Sequence, residues 1–347
     1  MIRSDLRSIS YEEMLEEVIS LGEAKYRALQ VYEWIHKRHA GTFDEMNNIP
    51  KSLKEKLSEK YAIYSVTKIR MQESAYDGTR KYLFALNDNN LVESVFMRYS
   101  HGNSVCVSSQ VGCRMGCSFC ASTIDGLERN LTAGEILGQI YEIEKDTGER
   151  VSNIVIMGSG EPFDNFDNIC RFLSLVSDEK GTNISGRNIT VSTCGLVPRI
   201  YEFADKGFAA TLAISLHASN DEKRRKIMPI ANKYSIDEII KACRYFFDKT
   251  GRRLTFEYSL ILGVNDTDKD AKELSALLKG LNCHVNLIPV NPIKERDYVG
   301  TTREGALAFK NKLEKNHINV TIRRELGRDI DGACGQLRRR VLTEKSN

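Results

Sequence analysis

Hydrophobic positions along the chain change their period near residue 63. Before that point, apolar residues at positions 28, 31, 32 and 35 recur at i, i+3, i+4 and i+7, which predicts an amphipathic helix, and a further helix is expected over residues 51–60, after Pro50. Between residues 63 and 103, the runs VTKIRMQ, RKYLFAL and LVESVFM have the composition of short strands, and the turn signal NDNN joins the last two. The pattern therefore predicts a small helical domain followed by a β extension.

From residue 104 onward, apolar β-branched runs alternate with helical segments. Two of these helices begin with capping boxes, Thr132 with Glu135 and Ser235 with Glu238. Such repeated units predict an α/β fold with a parallel sheet, wound either as an open doubly wound sheet or as a partial barrel. The six strand runs are SVCVSSQ (104–110), NIVIMG (153–158), NITVST (188–193), ATLAISL (210–216), LTFEYSLI (254–261) and HVNLIP (284–289).

A polar or glycine-rich loop follows each of these six strands. Parallel α/β folds place their active sites at the carboxyl ends of the strands. We therefore expect the six loops to form a single site. In chain order they are GCRMGCSFC, GSGEPFDN, STCG, SLHASN, GVND and PVNP.

The composition is that of a globular protein. Of the 347 residues, 41% are hydrophobic and 28% are charged, and no apolar run approaches the roughly 20 residues that span a bilayer. The N-terminal sequence MIRSDLRSISYEEMLEE lacks the pattern of a signal peptide, so we expect a cytoplasmic protein without membrane association. Four of the nine cysteines lie singly in apolar settings and are expected to be reduced core thiols: Cys170, Cys194, Cys243 and Cys283.

Basic residues form local clusters, although the net charge is only +3. Each cluster alone is most simply a solvated helix face, and together they are compatible with RNA binding. The clusters are Lys25, Arg27, Lys37 and Arg38 among Tyr26, Tyr32 and Trp34; Lys223 to Lys226; Arg323 with Arg324; and Arg338 to Arg340.

One loop carries three cysteines, Cys113, Cys117 and Cys120. Thiolates are soft ligands that bind zinc, copper(I) or iron–sulfur clusters. A structural zinc site needs a fourth ligand, for which His101 and His217 are candidates. Three cysteines instead leave one iron of a [4Fe–4S] cluster open to a further ligand, and the residues alone leave both kinds of site open.

The spacing CxxxCxxC, with Phe119 before the third cysteine, resembles the signature of the radical S-adenosylmethionine (SAM) superfamily. The resemblance implies that these cysteines hold a [4Fe–4S] cluster, and that SAM chelates its open iron and is cleaved to a 5′-deoxyadenosyl radical. It also implies that the loop GSGE, with Gly160 and Glu161, holds the amino group of SAM.

A longer series of motifs is similar to the radical SAM methyltransferases that modify C2 of adenine in RNA. Members of that family act on the peptidyl-transferase centre of 23S rRNA and on the adenine 3′ of a tRNA anticodon. The similarity implies a partial (β/α)6 barrel over residues 104–325, preceded by an RNA-binding helical domain (1–62) and a β extension (63–103), and followed by a catalytic segment (326–347). The motifs are VCVSSQVGCRMGCSFCAST, GxGEPxxN, STCGxVP, AISLHASNDxxR, EYSLILGVND, CHVNLIPVNP and DIDGACGQLRRR.

This similarity implies catalytic roles for three residues. Cys334, in GACGQL, would accept a methyl group from a first SAM, and the radical from a second SAM would activate that methyl group for addition to C2. Cys106 would release the product by forming a disulfide with Cys334, and Glu93 matches the proton acceptor of the family. The residues leave open how proton removal is divided between Glu93 and Cys106. The family also implies an electron donor such as flavodoxin or ferredoxin.

Further positions are similar to the SAM contacts of the family, and one departs from its pattern. Ser159 stands where the family often has methionine, and its shorter, polar side chain is expected to loosen the packing beside SAM or the RNA base. The implied SAM contacts are Ser192, Ser215, Leu216, His217 and Asn291.

Two alternative functions share some of these residues. The sister family that methylates C8 of adenine has the same cluster and both reactive cysteines, whereas the stretch NLIPVNP and the overall match favour C2. In a non-catalytic RNA-binding protein with a structural metal, Glu161, Cys106 and Cys334 would have no reason to occur together. Methylation at C2 therefore accounts for the largest set of residues.

Overall fold

A ten-stranded mixed sheet organises the part of the chain that the computed structural model describes, which is residues 3–293, 295–324, 326–327, 329–330 and 335–346. Helices α1 to α11 are, in order, Tyr11–Ser20, Tyr26–His36, Lys51–Lys60, Ala133–Thr147, Phe166–Ser177, Val197–Lys206, Asp221–Ile227, Ile236–Thr250, Asp268–Leu278, Arg303–Lys315 and Gln336–Ser346. Strands β1 to β14 are Ser4–Asp5, Tyr61–Ala62, Thr67–Glu73, Arg80–Ala85, Leu91–Tyr99, Gly102–Cys106, Gln110–Gly112, Leu127–Asn130, Asn153–Ile156, Ile189–Thr193, Thr211–Ser215, Leu254–Leu260, Cys283–Pro289 and Asn319–Ile322. None of these helices is both long enough and apolar enough to cross a membrane.

The order of the strands decides between the two windings that the sequence left open. In the large sheet, β6, β9, β10, β11, β12, β13 and β14 lie side by side in chain order, and all these pairs are parallel. A doubly wound sheet reverses its order at a switch point, whereas this order runs in one direction, as in a barrel. The fold is therefore the expected partial (β/α)6 barrel, with β14 as a seventh parallel strand.

Both edges of the sheet extend beyond the six strands expected for the barrel. On one side, β3, β4 and β5 pair antiparallel, and β5 pairs antiparallel with β6, so the β extension continues the barrel sheet. On the other side, β14 forms the edge. The sequence did not indicate β14 because its four residues, NVTI, include only one that is fully buried and form no long apolar run.

Side-chain caps define the starts of several helices. The predicted capping boxes at Thr132 and Ser235 are present, and each glutamate three residues on returns a bond to the backbone N–H of the cap. Two further capping boxes begin α1 and α9. Helix α3 has the expected bounds, Lys51–Lys60, because Pro50 ends the preceding extended segment and tolerates a helix directly after it.

The N-terminal helical domain is docked closely on α4. Arg7 is buried and donates from Nη1 to a backbone carbonyl at 2.8 Å. A Cβ added at Gly134 would overlap Asp5 Oδ2, and a Cβ added at Gly138 would lie 2.6 Å from a methyl group of Val66. Because only glycine allows this approach, these two positions of α4 hold the helical domain directly against the barrel.

Asp5, at this junction, is expected to make the stability of the fold depend on pH. Burial raises the pKa of its carboxyl group to about 6, and its Oδ2 atom has no hydrogen-bond partner within the described ranges. Because the ionised form is disfavoured only in the folded chain, the free energy of unfolding should fall by up to about 3 kcal/mol as the pH rises from about 4 to about 6. Asp5→Asn should remove this fall, as measured by urea denaturation across that pH range.

Asp88→Asn provides the control. The Arg129 guanidinium lowers the pKa of the Asp88 carboxyl group, so its stabilising effect is lost only as the pH falls below about 4, and Asp88→Asn should leave the change between about pH 4 and about pH 6 as it is in the wild type. Parallel pH profiles for the wild type and Asp5→Asn would contradict the cost assigned to burying Asp5.

Candidate active site

The register of the strands brings candidate catalytic residues to one face of the sheet. Cys106 in β6 lies opposite Val95 of β5 and Val155 of β9. Because residues two apart in a strand share a face, Glu93 lies on the same face as Cys106. We call this the inner face, since the opposite face packs under the helices. Continued through β10 to β13, the register adds Ser192, Ser215, Glu257 and Asn286 to the inner face.

A cavity of about 490 Å³ opens over the inner face. Three residues predicted from the sequence line it, namely Cys106, Cys120 and Asn291. Lys81 and Phe119 are also in its wall. The cavity therefore joins residues from the β extension, the cysteine loop and the loop after β13.

Hydrogen bonds hold the cysteine loop between β7 and β8. The N–H of Cys113 donates to the carbonyl of Gly126 at 2.8 Å. The hydroxyl of Thr123 donates to the carbonyls of Cys117 and Cys120 at 3.0 and 2.9 Å. The backbone that carries all three thiols is thus fixed by its own turn and by the start of β8.

The surroundings of these thiols fit a soft metal group. Burial raises the pKa of Cys113 to about 12 and also raises the pKa of Cys117, with the neighbouring Cys120 as the next cause. A bound cation would therefore be needed to keep the sulfurs as thiolates. Within the described ranges, no three His, Cys, Asp or Glu side chains are already converged as a metal site. Three thiols on one fixed loop, packed beside Phe119 and Ile227, nevertheless form a donor set suited to an iron–sulfur cluster.

Neither histidine considered as a fourth zinc ligand is well placed. His101 is exposed, stacks on Tyr99 with the ring centroids 5.1 Å apart, and precedes β6, at the opposite end of that strand from the cysteine loop. His217 meets the ring of Phe119 edge to face, but the N–H of Ser259 donates to its Nδ1 at 2.9 Å. Burial lowers the pKa of His217 to about 3, so the ring is neutral and carries its proton on Nε2. His217 thus presents a donor, which favours the iron–sulfur alternative.

Gly160 and Glu161 lie in a loop held tightly against the start of β7. Gly160 has a φ of +107°, and a Cβ there would lie 2.6 Å from the Cβ of Gln110, so glycine is required. The Glu161 carboxylate is buried and accepts the N–H groups of Cys194 and Phe163 at 2.7 and 3.0 Å. Burial raises the pKa of Glu161. A ligand ammonium group beside this buried carboxylate would compensate its charge.

The other predicted SAM contacts differ in whether they have a free polar group on the inner face. The hydroxyls of Ser192 and Ser215 lie 3.2 Å apart on the inner face. Leu216 packs its side chain into the hydrophobic core, and its N–H and carbonyl are bonded to Glu257 and Arg224. A ligand at this point would therefore meet the serines before it met Leu216, and the role of Leu216 stays a prediction.

Glu93 reaches the start of α11. Its carboxylate accepts the N–H groups of Gly335 and Arg338, each at 2.6 Å. Cys334 lies outside the described residues. Its neighbour Gly335 is so close to the cysteine loop that an added Cβ would lie 3.1 Å from the Cβ of Ala121. The chain next to Cys334 thus passes between Glu93 and the end of the cysteine loop.

Ser159, the departure from the family pattern, is buried and hydrogen-bonded. Its hydroxyl donates to the hydroxyl of Ser122 at 2.9 Å, and its N–H donates to that of Ser108 at 3.0 Å. Ser159 therefore forms a polar link to the turn after Cys120, where the sequence had suggested looser packing.

The basic clusters divide into exposed and structural residues. Arg38 lies over the ring of Trp34 at 4.3 Å, and Arg27 lies over Tyr26, which is exposed. Tyr32, grouped with them in the sequence, is buried and donates its hydroxyl to Asp178. The RNA-compatible surface of the helical domain is therefore smaller than the sequence cluster.

Arg224 is a structural residue that the sequence pattern did not reveal. It lies in the basic run Lys223–Lys226 but is fully buried. Its guanidinium donates to the carbonyls of Cys194 and Leu216 at 2.6 and 3.1 Å. It thus ties the loops after β10 and β11 together. Its burial depends on contacts distant in the chain, which a run of like charges does not indicate.

Arg224→Met should destabilise the fold by about 2 to 4 kcal/mol, because the buried carbonyls lose charge-assisted hydrogen bonds. Arg225→Met is the matched control, since the adjacent side chain is exposed and should change stability by less than about 0.5 kcal/mol. Urea denaturation of both variants measures the difference. Equal stability of the two variants would show that Arg224 does not organise these loops.

Comparisons with known proteins agree with this geometry. The family model of the radical SAM superfamily matches residues 107–275, and that of the ribosomal RNA large subunit methyltransferase N-terminal domain matches residues 4–63. A probable dual-specificity RNA methyltransferase RlmN of Lachnospira eligens is 60% identical over 98% of this chain and 97% of its own length. A relative of the same name from Clostridium perfringens is 55% identical over 98% of each chain.

A solved structure is similar over nearly the whole fold. The crystal structure of a radical SAM methyltransferase from Sphaerobacter thermophilus superposes with a TM-score of 0.91 at 42% identity, and the match covers 96% of this chain and 98% of that one. Identity at this level extends through the helical domain, the barrel and the C-terminal segment. The chain belongs to the family of radical SAM dual-specificity RNA methyltransferases.

Proposed function

We propose that this chain methylates C2 of adenine in RNA, with the peptidyl-transferase centre of 23S rRNA and the adenine 3′ of a tRNA anticodon as substrates. The observation that carries the proposal is the shared inner face. Glu93 and Cys106 lie on it beside the cysteine loop, and Gly335, the neighbour of Cys334, is bonded to Glu93. The names of the relatives, dual-specificity RNA methyltransferases, support an RNA substrate.

Cys113, Cys117 and Cys120 would hold the [4Fe–4S] cluster, with Gly160 and Glu161 facing the amino group of SAM. When bound, the cluster supplies the electron that cleaves SAM, and a donor such as flavodoxin or ferredoxin would restore that electron. The buried Glu161 carboxylate would balance the ammonium charge of SAM in a region of low dielectric constant. The Ser192 and Ser215 hydroxyls, Asn291 and the Nε2–H of His217 would provide the other polar contacts.

Cys334 would carry the methyl group, because C2 of adenine is an electron-poor carbon that does not attack a sulfonium itself. Glu93 would accept the proton that leaves C2, since its carboxylate already reaches the segment beside Cys334. Cys106 would then bond to the sulfur of Cys334, which breaks the bond between sulfur and carbon and frees the product. The resulting disulfide would need reduction before another turnover.

RNA would enter across a basic opening. A second cavity, of about 1060 Å³, shares Pro289, Arg323 and Arg324 with the first and adds Arg303 and Tyr76, whose side chain is 79% exposed. Guanidinium groups bind phosphates, and an exposed aromatic ring can stack on an unpaired base. The target adenine would be extruded from folded RNA into the inner cavity. An RNA substrate of this kind supports our expectation of a cytoplasmic enzyme.

Nucleoside mass spectrometry tests the product. Protein with a reconstituted cluster, deuterated-methyl SAM and a reductant should convert unmodified 23S rRNA and tRNA to labelled 2-methyladenosine. Partial loss of deuterium is expected, because one hydrogen leaves the methyl group during activation. Labelled 8-methyladenosine would assign the chain to C8 chemistry. Absence of both products, with SAM cleavage intact, would reject the proposed substrates.

Cys106→Ala should trap a covalent adduct between protein and RNA, since the bond between sulfur and carbon can no longer be broken by the second thiol. Gel electrophoresis under denaturing conditions should show the adduct, and free methylated RNA should fall at least about tenfold. Cys170→Ala is the matched control, because Cys170 is a half-buried thiol away from the inner face. Normal yields of free product from Cys106→Ala would reject the resolving role.

A further inference from the structure

Lys81 forms a buried ion pair that the proposed chemistry does not use. Its Nζ lies 3.1 Å from Glu93 Oε2, and the two side chains are 0% and 5% exposed. Lys81 belongs to β4, Glu93 to β5, and Lys81 also lines the inner cavity. Burying a lysine is costly unless its charge is compensated. A cation in this position therefore indicates that the Glu93 carboxylate must stay charged and fixed there.

The same carboxylate caps the start of α11. The first N–H groups of a helix have no partners within the helix, and here those of Gly335 and Arg338 donate to Oε2 and Oε1 of Glu93. Helix caps normally come from the residue just before the helix. This cap instead comes from β5, 242 residues away from Gly335 in sequence. It thus binds the start of α11 directly to the inner face.

Apolar contacts alone would fix the position of α11 less precisely. Leu337 and Val341 pack on Leu83 and Leu91, which is one side of a single helix on two strands. Such contacts are non-directional, whereas two short charge-assisted hydrogen bonds define where the helix begins. Gly335, the first residue bonded in this way, directly follows Cys334 in the sequence. The cap therefore fixes the backbone position next to Cys334.

We propose that Lys81 and Glu93 form a latch in which Lys81 is a positioning residue: it holds the Glu93 carboxylate on the start of α11 and so fixes Gly335, the residue that follows Cys334, beside Glu93. The latch opens when Glu93 accepts a proton. The C2–H bond breaks, the proton forms an O–H bond with a Glu93 oxygen, the electron pair stays in the adenine ring, and both hydrogen bonds to α11 lose their charge assistance. The segment is then free to bring Cys334 to Cys106. The opening step rests on the proposed function, whereas the latch itself does not.

Hydrogen–deuterium exchange of the full-length, cluster-loaded protein tests the latch without RNA. Glu93→Gln, which mimics the protonated side chain, and Lys81→Met should each speed exchange of the backbone amides in residues 335–341 by about tenfold or more. Lys81→Arg should stay closer to the wild-type rate than Lys81→Met, because it keeps the charge. In the Glu93→Gln background, adding Lys81→Met should change exchange less than it does in the wild type, since the part of its effect that acts through the Glu93 charge is already lost.

Lys223→Met is the matched control. Lys223 pairs at 2.7 Å with Asp270, a buried carboxylate that also caps a helix, but on α9. This variant should leave exchange in residues 335–341 unchanged. Unchanged exchange in Glu93→Gln, or an equal effect of Lys81→Met with and without Glu93→Gln, would overturn the latch.

Activity supplies a second readout. Lys81→Met should lower RNA methylation at least about tenfold while formation of 5′-deoxyadenosine continues, and Lys81→Arg should restore most of the methylation. Loss of 5′-deoxyadenosine in Lys81→Met, or full methylation by that variant, would reject the positioning role. If the wild type methylates neither RNA, the proposed function fails, and the exchange experiment still decides whether the latch exists.

Discussion

The unbroken register of the parallel strands is the constraint on which the site depends. Every second residue of β6 and β9 to β13 must lie on the inner face, because neighbouring strands pair without a reversal of order. The loops that leave these strands must then emerge at one rim. For this reason three loops are neighbours although up to about a hundred residues separate them in sequence. They are the cysteine loop, the loop of Glu161 and the loop of His217. A shift of one residue in any strand would turn its polar side chains into the hydrophobic core.

The inner face keeps several groups away from their ordinary protonation states. Burial lowers the pKa of His217 to about 3 and raises that of Glu257, whose carboxylate accepts from Asn286 at 2.8 Å, to about 7. Thiols, carboxylates and one imidazole are thus held in a region that penalises any unbalanced charge. A cationic cofactor bound in this region would stabilise the charged forms of these carboxylates and thiols. Burying these polar groups without a cofactor costs free energy. The large hydrophobic core on the other face of the sheet offsets that free energy.

The sequence determined the parts of this structure that depend on local patterns. Helix α3, the capping boxes and the six strands followed from periodicity and from residues three or four positions apart. Apart from the short edge strand β14, the failures share one cause, which is contact between residues distant in the chain. Arg224 looked like part of a solvated basic run until its partners at Cys194 and Leu216 were known. Lys81 follows Arg80 in β4 and reads as an ordinary basic residue, and its partner Glu93 lies on the next strand, so only the folded register reveals the pair.

The close fit of Gly134 and Gly138 against the N-terminal arm has a consequence for how substrates are distinguished. Side chains of Asp5 and Arg7 lie directly against these two glycines, so the start of the helical domain is packed on α4 of the barrel. If Arg27 and Arg38 bind RNA as proposed, a set distance separates that contact from the inner cavity. Two RNAs of unrelated sequence would then both be substrates when their folds match that distance.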